Sequence, residues 1–140
     1  MLRVLIIEDE QVNREFLLLA LRPYGDCVAA GTGEDGLREH RRALAESAPF
    51  QLVFLDIMLP GIDGLKALEM LRATEEEFDV PDPARALVIV TTVLDDDQNA
   101  ARAFIQGRAA SYMTKPFRVG ELREELAKLG FLHARDEAGL

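Results

Sequence analysis

A single cysteine, Cys27, leaves this chain without a partner for an internal disulfide. That is compatible with a reducing cytosol, and the apolar residues around Cys27 mark it as a small core side chain. Long hydrophobic runs are also missing. None approaches the roughly 20 residues that a membrane-spanning helix needs, so no insertion into a membrane is expected. Met1-Leu2-Arg3-Val4 enters a strand-like segment without the layout of a signal peptide, and a cytoplasmic location is expected. Basic residues are in deficit: 16 Lys and Arg against 25 Asp and Glu give a net charge of −9. They are scattered and form no stripe of the kind that neutralises phosphate backbones, which argues against direct nucleic-acid binding. Internal repeats are absent, as is any stretch able to form a second domain. What remains is 140 residues with 49% hydrophobic content, enough for one domain with its own core.

Five strand-like apolar runs alternate with helix-length amphipathic segments. The strands are expected at Leu2 to Ile7, Cys27 to Ala30, Leu52 to Leu55, Leu87 to Thr92 and Ala110 to Thr114. Helices are expected near Val12 to Arg22, Glu34 to Glu46, Leu65 to Glu76, Gln98 to Gln106 and Glu121 to Leu129. Such alternation calls for a parallel sheet with helices on both faces. With five strands, the α/β, flavodoxin-like doubly wound arrangement in the order 2-1-3-4-5 is favoured. Glu75 to Pro83 combines a charge run with two prolines and is expected as an exposed loop. The folded domain should occupy residues 1–131, with 132–140 a short polar tail. His40 and His133 fall among polar residues and are expected to face solvent.

Gly31-Thr32-Gly33-Glu34-Asp35-Gly36 is a G-x-G-x-x-G between strand and helix, with Asp56 20 residues after its last glycine. That pattern is described for dinucleotide binding. Here it follows the second strand, which has little apolar weight, and its two internal acids would repel a pyrophosphate. The alternative is a glycine-rich turn with Thr32 capping the helix and Glu34 and Asp35 complementing its dipole. This second reading is preferred.

The more informative residues stand at strand ends. Asp56 closes Leu52-Val53-Phe54-Leu55, a run apolar enough to be buried on both faces, and Pro60-Gly61 follows four residues later. Glu8-Asp9 ends the first strand, Thr91-Thr92 the fourth, and Lys115-Pro116 the fifth. In the order 2-1-3-4-5 these four strands are neighbours, and their carboxyl edge is where ligands bind in open α/β sheets. Three converging carboxylates repel one another unless a cation neutralises them, and hard oxygen donors with open positions suit Mg²⁺. With Lys115 and a Thr91 hydroxyl they could surround a phosphoryl group, which Asp56 could attack in line.

These residues carry a resemblance to the receiver domain of two-component response regulators, with the stand-alone chemotaxis regulator as the nearest architecture. The matching segments are Val4 to Glu10, Leu52 to Asp56 with Met58 to Gly64, Val88 to Thr92, and Gly107 through Tyr112 to Phe117. The resemblance implies that Asp56 accepts a phosphoryl group from a histidine kinase or phosphotransfer protein. It implies that Asp9, Asp56 and the backbone carbonyl of Met58 hold Mg²⁺, with Glu8 acting mostly through bound water. Lys115 would pair with the phosphoryl oxygens. Thr91 would hydrogen-bond to the phosphoryl group, letting Tyr112 swing inward. The surface of the fourth helix, fifth strand and fifth helix would then change for a downstream partner, or for dimerisation. A cis Lys115-Pro116 bond is also implied.

The chain departs from the family pattern in places. Met58 and Val93, two residues after Asp56 and Thr91, are apolar where the family's hydrolytic water passes, so slow self-dephosphorylation is expected. Arg118 stands where a Ser, Thr or Asp often caps the last helix. Asp95-Asp96-Asp97 is expected to complement the dipole of the fourth helix. A phosphatase similar to the haloacid dehalogenases would need a second Asp at position 58. A receiver-like module that binds partners without being phosphorylated is the remaining alternative.

Overall fold

A computed structural model describes residues 2–93 and 109–132. The strands are β1 (Leu2–Ile7), β2 (Gly25–Ala30), β3 (Leu52–Asp56), β4 (Leu87–Thr92) and β5 (Ser111–Thr114). They form one parallel sheet in the order β2-β1-β3-β4-β5, the expected one. Helices α1 (Gln11–Leu21), α2 (Gly33–Ala45) and α3 (Gly64–Glu77) and a C-terminal helix (Val119–Lys128) cover it. The expected helix at Gln98 to Gln106, the Asp95 to Asp97 run, His133 and most of the tail lie outside the described residues.

Alternation along the central strands explains why both faces are covered. Leu5, Ile7, Val53, Leu55, Val88 and Val90 point to one side, where they pack with Ala43 of α2 and Ala67, Leu68 and Leu71 of α3. Val4, Ile6, Leu52, Phe54 and Ile89 point to the other, against Leu17 and Leu21 of α1 and Leu122 and Leu126 of the C-terminal helix. Every residue of β3 is buried, as its unbroken apolar run requires. Strand β2 is an edge strand with a mixed pattern, and Cys27 there is half-buried rather than enclosed in the core.

Two polar segments are placed differently from expectation. His40 does not face solvent: it is 1% exposed. Gly33, Gly36, His40 and Ala43 form the buried stripe of α2, and the charged neighbours Glu39, Arg41 and Arg42 conceal it in the sequence. Glu75 is not in a loop either. Helix α3 runs on through Glu77, and Glu75 is buried because partners are supplied on the spot. Its Oε1 accepts from Arg72 at 2.8 Å and its Oε2 from the Ala86 backbone N–H at 2.9 Å. Arg72 also donates to the Ala86 carbonyl at 2.8 Å, so the pair clamps the entry to β4. The true connection, residues 78–86, contains a 3-10 turn at Asp82–Ala84 and is tied by Arg85, which donates to the Val80 carbonyl.

A candidate phosphoacceptor site at the sheet edge

Register alone sets the site. Asp56 pairs with Thr91 across β3 and β4, and beyond the ladder Ile57 N–H donates to the Thr91 carbonyl and Lys115 N–H to the Thr92 carbonyl. The ends of β3 and β5 are thereby fastened to the end of β4. Glu8 N–H donates to Ala30, which fastens the end of β1 to β2. The peptide bond Lys115-Pro116 is cis, as the resemblance implies.

Around Asp56 the side chains converge. Oδ2 accepts from Lys115 Nζ at 2.9 Å, and Oδ1 accepts from the Met58 backbone N–H at 2.9 Å. Lys115 Nζ also lies 2.7 Å from Glu8 Oε1. Glu8, Asp9 and Asp56 each offer a carboxylate oxygen, all within 4.8 Å of one another. Glu8 and Asp56 are buried while Asp9 is exposed, so the cluster opens to solvent on the Asp9 side. Gly64 makes room below it. A Cβ there would sit 2.4 Å from Ile57 Cα and 2.5 Å from the Asp56 carbonyl oxygen, so only glycine lets α3 start this close to the Asp56 loop.

The protonation of the cluster follows from burial. Loss of solvent, with a hydrogen bond to Asp56, pushes the Glu8 carboxyl up to about 7. Asp56 moves the other way. Burial would raise it, but hydrogen bonds from the Glu8 carboxyl, the Met58 N–H and Lys115 together hold it below the usual carboxylate range. Burial acts to lower Lys115, and its two acidic partners outweigh that and keep it charged. Of the two carboxyls, Glu8 is therefore the more easily protonated and Asp56 the one held as the anion. A divalent cation fits this donor set, because three clustered carboxylates face one lysine and leave an excess of negative charge.

Of the other expected residues, Thr91 is buried beside Asp56, while Tyr112 is 44% exposed on β5. Met58 and Val93 are exposed at the rim. Gly31 to Gly36 has the structural role preferred from sequence: Thr32 Oγ1 accepts from Asp35 N–H as the cap of α2, and Asp35 pairs with Arg38. Gly36 lets α2 approach Ile7, whose Cδ1 would be 2.4 Å from a Cβ.

Comparison with known proteins decides the family. The response regulator receiver domain matches residues 4–127. The chain belongs to that family. It is a receiver domain of the phosphorelay signalling class, with the α/β fold of its relatives. It is 31% identical over 130 residues to a probable C4-dicarboxylate response regulator of Bacillus subtilis, covering 90% of this chain and 51% of that protein. A receiver domain of a Pseudomonas aeruginosa sensor histidine kinase, solved with magnesium coordinated in its active site cleft, is 25% identical with a TM-score of 0.71. That match covers 91% of this chain and 95% of the other. A Saccharomyces cerevisiae receiver domain in complex with a histidine phosphotransfer signaling protein shares the fold, at 22% identity and a TM-score of 0.75, covering 92% and 88%. The chain spans about half the length of the curated relatives it matches. Among the described residues no helix is long and apolar enough to cross a membrane.

Proposed function

We propose that Asp56 accepts a phosphoryl group from the phosphohistidine of a histidine kinase or phosphotransfer protein in a Mg²⁺-dependent reaction. The observation that carries this reading is the ionised Asp56 held 2.9 Å from Lys115 Nζ inside a cluster of three carboxylates. One oxygen of Asp56 attacks phosphorus, the N–P bond breaks, and the electron pair leaves with the imidazole. Lys115 is positioned to follow the phosphoryl oxygens as negative charge moves onto them. Asp9, Asp56 and the Met58 carbonyl would hold Mg²⁺, with Glu8 acting through water. The ion supplies charge neutralisation that lets an anionic acceptor approach an anionic donor.

Thr91, next to Asp56 in register, supplies a hydroxyl for the phosphorylated state. Tyr112, exposed on β5, is the side chain that would turn inward in response. The outcome is an altered surface around β5 and the C-terminal helix for a downstream protein, or for a second copy of the phosphorylated chain. The receiver, residues 1–131, acts in the cytoplasm as a signalling switch. Its chemistry is confined to its own phosphorylation and dephosphorylation.

Incubation with Mg²⁺ and a small acyl phosphate, followed by intact mass measurement, tests this. One added phosphoryl group is expected, absent in Asp56→Asn and absent without Mg²⁺. No adduct with any donor would leave a module that only binds partners.

A further inference from the structure

Arg14 has no part in the chemistry above, yet its side chain reaches the turn that carries both acids of β1. Its Nη1 donates to the Glu8 carbonyl at 3.0 Å and to the Asp9 carbonyl at 3.3 Å. Both carbonyls lie past the last residue of β1. On the helix side, α1 begins at Glu10 without a side-chain cap. A single nitrogen bonded to two successive carbonyls fixes the two peptide planes relative to each other. Those planes set the directions in which the Glu8 and Asp9 carboxylates leave the chain.

Gly31, across the turn at the end of β2, supports the same arrangement. A Cβ there would sit 3.3 Å from Arg14 Nη1 and 3.9 Å from Cζ, tighter than ordinary contact at the nitrogen. Its φ lies outside the left-handed region, so space for the guanidinium, rather than backbone conformation, is what glycine provides.

We propose that Arg14 is a positioning residue for the divalent-cation site, aligning Glu8 and Asp9 with Asp56 through their backbone carbonyls. This rests on the reading of those three acids as that site. Outer partners that orient ligating groups typically change metal affinity 10–100-fold when removed.

The test is Mg²⁺ affinity of the unphosphorylated protein by calorimetry, alongside thermal melting without Mg²⁺. Arg14→Met is expected to weaken Mg²⁺ binding about tenfold, and Arg14→Lys, which keeps a multiple donor, to recover most of that loss. A folded Arg14→Met protein that binds Mg²⁺ as the wild type does, with only its melting temperature lowered, would overturn the proposal. So would Arg14→Lys binding no better than Arg14→Met. If Arg14→Met does not fold, Arg14→Gln keeps a polar side chain at this position of α1 but is too short to span both carbonyls. Weaker Mg²⁺ binding is expected there, and unchanged binding overturns the idea. Failure of the wild type itself to bind Mg²⁺ is a separate result, which removes the cation reading and with it any role for Arg14.

Discussion

At the rim of the Asp56 cluster two apolar side chains stand in the open, Met58 at 60% and Val93 at 44% exposure. Neither contributes a donor or acceptor from its side chain, and Met58 is held in place by its backbone N–H on Asp56. A water attacking a phosphoryl group on Asp56 needs to be oriented by hydrogen bonds, and a thioether and an isopropyl group orient it poorly. Replacing Met58 with Asn puts an amide at that rim. Met58→Asn is expected to shorten the lifetime of phospho-Asp56 severalfold, well under the roughly 100-fold or more of a positioned general acid or base, because an amide only orients the water. The decay of the phosphorylated mass after removal of the donor measures it, and an unchanged decay would show that Met58 does not hinder hydrolysis.

Among the elements, the helices differ in how their first turns are closed. Thr32 caps α2, and Asp63 caps α3 by accepting from Lys66 N–H at 2.8 Å. The C-terminal helix begins at Arg118, which has extended backbone and no side-chain hydrogen bond to the first turn, as its residue type leads one to expect. Its ion pair with Glu121, at 3.8 Å and well exposed, adds little. Arg118→Ser should therefore stabilise the fold by about 1 kcal/mol, seen as a higher midpoint in urea unfolding. No gain would mean that the helix start is set by packing of Leu122 and Phe117 alone. Element boundaries were mostly legible because apolar period and capping residues coincide. The end of α3 was not, since Glu75, Glu76 and Glu77 look like a solvated run until Arg72 and Ala86 are seen around the first of them.

For the molecule as a whole, the buried His40 links stability to pH. It sits between α2 and α3, with Nε2 3.7 Å from Glu75 Oε2 and the Arg72 charge close enough to act on it. Burial pushes its proton affinity below the ordinary value of 6.5, Glu75 and the Leu71 carbonyl pull it back in part, and Arg72 adds to the lowering. With the folded value lowered, the unfolded chain binds more protons below pH 6.5, so stability rises with pH there and falls on acidification. The loss should approach about 1.4 kcal/mol per pH unit between 6.5 and the lowered folded value. Urea unfolding at pH 7.5 and 5.5 is expected to show a larger acid loss for the wild type than for His40→Gln. Parallel losses would mean that the native cluster accepts a proton as easily as the unfolded chain does.

The sequence by itself determined the sheet, its strand order and the identity of the acids, threonine and lysine at its carboxyl edge. Those properties follow from local rules: the two-residue period of a strand, the alternation of strand and helix, and the exit point of each strand. Only the tertiary structure decided which charges are buried and who holds them. His40 and Glu75 look solvated beside their charged neighbours and are enclosed because residues distant in the chain fold over them. The Glu8 carboxyl is raised because the fold buries it against Asp56, 48 positions away, while Lys115, 107 positions away, only partly offsets that. The contact of the Arg14 guanidinium with the Glu8 and Asp9 carbonyls is likewise made only by the packing of α1 against the end of β1. Burial is a property of the packed chain, and electrostatics in a protein follow burial.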